Sequence, residues 1–473
     1  MDLAYWLGQA VEEIQEWTGG WEAFDPHPAT AVDEDALREA FTDLTRRLAG
    51  SYPFFHPGYA GQMLKPAHPV AVVGHLAAML INPNNHALDG GPATSALEEE
   101  AVGELAAMFG IDPFLGHLTS SGTIANLEAL FVARESHPGR AVAFSSEAHY
   151  THARMCRLLG VPTRVVAADR GGRMDLDALE RLLALGGVGT IVATTGTTGL
   201  GAVDPVHEIV PLARRYGARV HVDAAYGGFF TLLAHAREVA LIPPHPWNAI
   251  AHCDSVVIDP HKHGLQPYGC GAVLFADPGV ARFYDHDSPY TYFTSPQRHL
   301  GEISLECSRS GAAAAALWLT QKLLPLTEHG LGACLAAGRR AALRWADLID
   351  RSQHLDLFQP PALDIVSYFP RVRPAALSSI DGASHRLMEN GMARRPNPVY
   401  VSVSRVGAHA FALRHPEVRP DRDDARILRS VLMKPEAELY LDRLHARVED
   451  LARTGTEPGD VQPSDPTSED AAR

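Results

Sequence analysis

The spacing of hydrophobic positions changes several times along the chain, and each change marks a different kind of element. Over the first 50 residues Trp6, Val11, Ile14 and Trp17 recur at spacings of three to five, which predicts amphipathic helix. The stretch 51–69 is rich in Pro, Gly and aromatic residues and reads as an extended loop, followed by an apolar helix over 70–81. A second Gly/Pro/Asn loop covers 82–93 and ends in Thr94-Ser95-x-x-Glu98. There Thr94 or Ser95 can cap a helix, and Glu98 or Glu99 can close a capping box. Between residues 115 and 276, β-rich runs at 141–144, 163–166, 190–194, 218–222, 255–258 and 272–275 alternate with amphipathic stretches such as 175–185 and 206–216. Such alternation builds a mostly parallel sheet covered by helices, with ligands at the carboxyl ends of the strands. Two long helices are expected next, over 312–324 and 331–349, then strands near 363–369 and 398–403 and a last helix over 436–451.

This pattern divides the chain into four parts. Residues 1–80 form an N-terminal helical segment suited to packing in a dimer, 81–335 a large domain, and 336–453 a smaller C-terminal α+β domain. The tail, 454–473, holds too little apolar side chain to fold. With 473 residues, 46% hydrophobic and 21% charged, the chain can bury a large core and an appended smaller one. No apolar run approaches the roughly 18 residues that a membrane span needs. The net charge is −15, and no basic cluster is longer than Arg214-Arg215 or Arg339-Arg340, so neither nucleic acid nor a membrane is an expected partner. Asp2, Glu12, Glu13 and Glu16 near the start argue against an export signal. Five cysteines, none in C-x-x-C spacing, point to reduced thiols and a cytoplasmic setting. Only four of the 41 basic residues are lysine: Lys65, Lys262, Lys322 and Lys434.

Lysine scarcity draws attention to Ser255-Val-Val-Ile-Asp-Pro-His261-Lys262-His263-Gly, where a lysine closes an apolar strand between two histidines. Burial and cationic neighbours turn a lysine into a neutral amine that attacks carbonyls, which arginine cannot do. The bland alternative is a surface lysine. Four further segments also follow β-runs. In His117-Leu-Thr-Ser-Ser121-Gly122-Thr123 the free N–H groups at a helix start suit a phosphate, though a capped helix without ligand fits equally well. His221-Val-Asp223-Ala-Ala225-Tyr-Gly-Gly ends a strand in a carboxylate. Ser145-Ser-Glu-Ala-His149 places an imidazole that could stack on a flat ring, and Thr194-Thr-Gly-Thr197-Thr198 is a hydroxyl-rich turn. Each has a structural reading when taken alone. Together they supply what pyridoxal 5′-phosphate requires: an anion hole, a lysine for the aldehyde, and a carboxylate to keep the pyridine nitrogen protonated. A nicotinamide enzyme would show G-x-G-x-x-G, which is absent. A zinc reading has only His149/His152 and His261/His263, without H-E-x-x-H.

The D-x-H-K and H-V-D-A-A-Y-G-G segments resemble the group II pyridoxal-phosphate decarboxylases, the family of aromatic-amino-acid, tyrosine and glutamate decarboxylases, over most of residues 50–320. The run D-P-H-K-x-G-x-x-P-Y looks more like bacterial tyrosine decarboxylases than animal aromatic decarboxylases, which usually carry tryptophan where this chain has His263. The resemblance implies an α/β fold of type I, with a mostly parallel seven-stranded sheet, helices on both faces and a smaller C-terminal α+β domain. It implies a homodimer with active sites at its interface. Lys262 would carry the cofactor, Asp223 would face the pyridine nitrogen, and His149 and Ala225 would pack on the two ring faces. Ser121, Gly122 and Thr123 would hold the phosphate with His261 nearby, and Thr197 would reach the ring hydroxyl or His149. Tyr292, or else Tyr290, would return a proton to the substrate carbon, whereas phenylalanine there, if Phe293 is the equivalent, goes with oxidative, aldehyde-forming chemistry. Gln62, Met63 and His86 would line the substrate pocket. The expected reaction is decarboxylation of an amino acid, tyrosine-like or polar. The rivals are an oxidative decarboxylase–deaminase, a carbon–carbon lyase of the sphingosine-phosphate-lyase type, and an inactive binding homologue.

Overall fold

A computed structural model of the chain describes residues 1–234, 240–284 and 300–455. Seven strands form the large sheet: β1 (Leu115–Thr119), β2 (Ala141–Ser145), β3 (Thr163–Val166), β4 (Val188–Thr194), β5 (Arg219–Asp223), β6 (Ser255–Ile258) and β7 (Gly271–Phe275). Their order across the sheet is β1-β7-β6-β5-β4-β2-β3. Neighbours from β6 to β3 are parallel, while β7 runs antiparallel to both β6 and β1. Strand β1 therefore points the same way as β6, and the carboxyl ends of all strands except β7 share one edge. Every residue of β2, β4, β6 and β7 is buried, as expected where helices cover both faces. The edge strand β3 leaves Arg164 and Val165 exposed.

A second, antiparallel sheet is built from β8 (Leu355–Gln359), β9 (Ile365–Pro370), β10 (Ser402–Gly407) and β11 (Asp424–Val431), in the order β10-β11-β9-β8. Helices Leu331–Asp350, Leu377–Ala393 and Ala437–Gly455 back it, and Trp345, Tyr368, Leu387 and Val448 fill the space between. Leu363, Ile365, Val431 and Met433 belong instead to the core of the large sheet, so the two units share a hydrophobic seam.

One helix start differs from the sequence expectation. The helix begins at Pro92 behind Gly91, so Thr94, Ser95 and Glu98 lie inside it and are buried. No capping box forms. Thr94 Oγ1 instead donates to Asn85 Oδ1 at 2.6 Å. Glu98 Oε1 accepts from Leu118 N at 2.9 Å and Arg309 Nη1 at 2.7 Å, which ties the helix to β1. At the N-terminus the expected helices form, as Leu3–Gly19 and Glu34–Leu48, but neither buries a residue. Among the described residues no helix is long and apolar enough to cross a membrane. All five cysteines are free thiols.

Candidate active site

The strand ends converge on a cavity of about 260 Å³ lined by Ser121, Gly122 and Thr123 after β1, His149 after β2, Asp223 at the end of β5 with Ala225 just beyond it, and His261 and Lys262 after β6. Thr194, Gly196, Thr198, Tyr226 and Asp259 also line it. At one end the helix Gly122–Ser136 opens on its cap Ser121, whose hydroxyl accepts from Ile124 N at 3.3 Å. The first-turn amides there form an anion-binding terminus. Their placement is fixed from below. His221 Nε2 meets Asn126 Oδ1 at 2.9 Å, and Asn126 Nδ2 donates to Gly122 O at 2.8 Å. Burial pushes the His221 imidazole down to about 3, so it is neutral and its Nε2–H serves as a fixed donor.

Asp223 accepts from His152 Nε2 at 2.8 Å, and both side chains are shielded from solvent. Burial alone would raise this carboxyl. The His152 hydrogen bond and charge, with Lys262 adding to them, win and hold it well below the usual carboxylate range. The result is a permanent buried anion facing the cavity. Lys262 Nζ lies 3.0 Å from Asp259 Oδ2, and His261 Nε2 lies 3.5 Å from the same oxygen. Burial lowers the imidazoles of both His149 and His261, and His261 Nδ1 donates to Cys270 O at 2.8 Å.

The remaining residues singled out from sequence lie elsewhere. Thr197 is fully buried under its turn, and its hydroxyl accepts from Ala202 N at 3.0 Å, so Thr194 and Thr198 reach the cavity in its place. Gln62, Met63 and His86 do not line this cavity. Gln62 is exposed, Met63 packs against the large core, and His86 donates its backbone amide to Asn84 Oδ1 at 3.1 Å. Tyr290 and Tyr292 fall outside the described residues. His263 turns away from the cavity and bonds Asp364 Oδ2 at 2.8 Å. Of the histidines considered for zinc, His152, His261 and His263 each face a different carboxylate, and no three metal-ligating side chains come together among the described residues.

Three residues escaped the sequence reading. His152 had a signal, one helical turn from His149, but only as a zinc partner. Asp259 was visible in D-x-H-K without a role. Arg429 had none in an arginine-rich chain. It is 4% exposed, and its Nε and Nη2 have no partner among the described residues.

A family model of the pyridoxal-dependent decarboxylase conserved domain matches residues 26–368. The chain belongs to this decarboxylase family. It is 27% identical to an L-tyrosine decarboxylase of Enterococcus faecium, over 73% of this chain and 74% of that one. It is 30% identical to an L-2,4-diaminobutyrate decarboxylase of Rhizobium meliloti, over 71% of each. The solved structure of Oryza sativa TDC with PLP and tryptamine shares the fold, with a TM-score of 0.75 at 19% identity, covering 95% of this chain and 98% of that one. The decarboxylase is a pyridoxal-phosphate-dependent carboxy-lyase acting on an amino acid. Its residues fit the cofactor. Asp259 Oδ1 and Thr194 Oγ1 are buried at the cavity without partners, the helix start offers amides to a phosphate, and a fixed carboxylate faces a lysine amine.

Proposed function

We propose that this decarboxylase acts on an L-amino acid whose side chain ends in an oxygen-bearing group, with tyrosine as the leading case. The observation that carries this reading is Arg429. Its Nη1 has only long contacts, to Ser402 Oγ at 3.4 Å and to Gly61 O and Gln62 Oε1 at 3.5 Å. A buried guanidinium with two free nitrogens is costly until an oxygen ligand reaches it. Arg429 acts electrostatically on Tyr226, which lines the Lys262 cavity. With Gln62 beside it, the guanidinium offers a substrate carboxylate or phenol a set of donors that a hydrocarbon side chain leaves unused. A second reading, an acidic amino acid such as aspartate, draws support from Lys434, which donates to Tyr59 O at 2.7 Å, and from Lys65. Desolvation pushes both ammoniums down to about 8, and they add positive charge beside the same loop.

In this reading Ser121, Gly122 and Thr123 bind the cofactor phosphate. Asp223, kept ionised by His152, holds a proton on the ring nitrogen opposite it. His149 and Ala225 set the plane of the ring. When bound, the cofactor supplies the electron sink that accepts the bonding pair released with CO₂. Lys262 would hold the cofactor through its amine, and that amine, once released by the substrate, would return a proton to the substrate carbon. The exposed Trp6, Trp17, Phe41 and Leu44 of the first two helices fit a second copy of the chain, making the enzyme a homodimer. Light scattering on the purified chain should give twice the monomer mass, and deletion of residues 1–50 should give the monomer.

The deciding experiment is a substrate panel of tyrosine, phenylalanine, aspartate, cysteine sulfinate and diaminobutyrate, with CO₂ release and product mass both followed. Tyrosine, or aspartate on the second reading, should yield its amine without oxygen consumption, and phenylalanine should be poor. Turnover of diaminobutyrate alone would overturn both readings, and peroxide with aldehyde would establish the oxidative rival. Borohydride should fix the cofactor covalently on the peptide holding Lys262, and Lys262→Ala should abolish that attachment.

A further inference from the structure

A second cleft lies apart from Lys262. It measures about 950 Å³ and runs between the large sheet and the small one. Its walls are apolar and partly aromatic, with Trp247 and Phe358 on opposite units, and its charged groups are mainly cationic. Two of these are unusual. Arg339 is 7% exposed and bonds only to backbone carbonyls: Leu241 O at 3.0 Å, Pro361 O at 2.8 Å and Leu363 O at 2.7 Å. Burial pushes its guanidinium down to about 10. Arg414 lies over the Phe358 ring at 4.7 Å and bonds Gln359 Oε1 at 3.1 Å and Ala410 O at 2.7 Å. Neither forms an ion pair with a carboxylate among the described residues. In a chain of net charge −15 the cleft thus gathers Arg170, Arg173, Arg339 and Arg414 against two lining acids, Glu208 and Asp350, a cationic lining suited to an anion.

The cleft also touches the active site from behind. Its wall includes Ala202. Ala202 O accepts from Gly196 N and Thr197 N, each at 2.9 Å, and Ala202 N donates to the Thr197 hydroxyl. Gly196 and Thr198 line the Lys262 cavity. A ligand pressing on Ala202 thus acts on the turn that forms one side of that cavity.

We propose that this cleft is a second binding site, for a small aromatic anion whose ring lies along the apolar walls of the cleft and whose carboxylate or phosphate meets Arg414 and Arg339, and that its occupancy is transmitted through Ala202 to the Lys262 cavity. The volume accommodates a ligand of that size, and arginine is the residue whose planar fork best matches such groups. The two sheets contribute one wall each, so the ligand also joins them. The site is independent of which amino acid is decarboxylated.

Calorimetric titration of the cofactor-loaded enzyme tests this with three probes: 4-nitrophenyl phosphate, benzoate and inorganic phosphate. At least one aromatic anion should bind with Kd below about 1 mM, and inorganic phosphate should bind at least about tenfold more weakly. Arg414→Gln should weaken the aromatic probe about tenfold or more. Ala362→Trp, which fills the cleft without removing a charge, should weaken it as well. Saturating probe should shift the visible absorbance of the bound cofactor in the wild type and in neither variant at the same concentration. Absence of heat with every probe, or equal binding by the wild type and both variants, would place the anion elsewhere and overturn the site. Tight binding with unchanged cofactor absorbance would overturn the transmission through Ala202.

Discussion

At Asp223 two physical effects oppose each other, and their balance decides whether the enzyme works. Burial favours the neutral acid, while the 2.8 Å bond from His152 and the charge of Lys262 favour the anion. The anion prevails, so the carboxyl is ionised throughout the ordinary pH range. Without His152 the anion loses its strongest support, and burial becomes dominant. His152→Phe should therefore raise the Asp223 pKa, and the acid limb of the kcat/KM profile should move to higher pH by about 1–2 pH units. The sign follows from the charge: a carboxylate with a depressed pKa loses its charge only at low pH, and one with a raised pKa loses it sooner as pH falls. A profile that keeps its acid limb while kcat drops uniformly would show that His152 serves only to fill space. Lys262 is a second such residue. It stood out because the chain so rarely uses lysine, and the structure sets it 3.0 Å from a buried carboxylate that the sequence left without a role.

Among the elements, the helix Gly122–Ser136 shows how a close approach overrides propensity. Alanine is a better helix former than glycine by about 1 kcal/mol in a helix interior. At Gly122, however, an added Cβ would fall 2.6 Å from both carboxylate oxygens of Asp259. That contact is too short to accommodate without moving Asp259, and Asp259 is the partner of Lys262. Gly122→Ala should thus weaken cofactor binding by about tenfold or more, measured by equilibrium dialysis against the loaded enzyme, despite the gain in helix propensity. The elements also differ in how far the sequence could reveal them. The buried parallel strands were legible because continuous apolar runs bounded by small residues leave little alternative, and 255–258 matches β6 residue for residue. The site segments were legible for the same reason, since chemistry at strand ends interrupts an apolar run. By contrast β8 and β11 carry polar residues among their apolar ones, Asp356 and Gln359 in β8 and Asp424, Arg426, Arg429 and Ser430 in β11, and β11 pairs with β9 across a long stretch of intervening chain. The use of Thr94 and Glu98 was hidden too. A capping box and a buried clamp need the same residue types, and only the position of Arg309, far along the chain, distinguishes them. Arg429 is the extreme case, because nothing local separates it from any other arginine on a strand.

Across the whole molecule one carboxylate joins the small sheet to the cofactor segment. Asp364 stands just before β9 and is 1% exposed. Its Oδ2 meets His263 Nε2 at 2.8 Å, next in sequence to Lys262, and its Oδ1 accepts from the Tyr226 hydroxyl at 2.6 Å. Tyr226 follows Asp223 by three residues, so the segments that follow β5 and β6 are both tied to a single point beside the small sheet. Burial opposes the charge on Asp364, yet His263 and Tyr226 hold its carboxyl below the usual range. Its contribution is therefore complete above the ordinary carboxylate pKa and is lost as pH falls through the depressed one. Asp364 also balances Lys65, Arg339 and Arg429, each of which feels its charge. Asp364→Ala removes the acid paired with His263 and felt by Arg339 and Arg429, and should cost about 3–5 kcal/mol, the usual penalty for removing one partner of a buried ion pair. Asp364→Asn, which keeps one acceptor and the volume, should cost less. The loss should appear as a lower urea midpoint for the small unit and as a weaker hold on the cofactor, because His263 is then free to move and Lys262 moves with it. If instead the midpoint falls while cofactor affinity is unchanged, Asp364 stabilises the seam between the sheets without positioning the lysine.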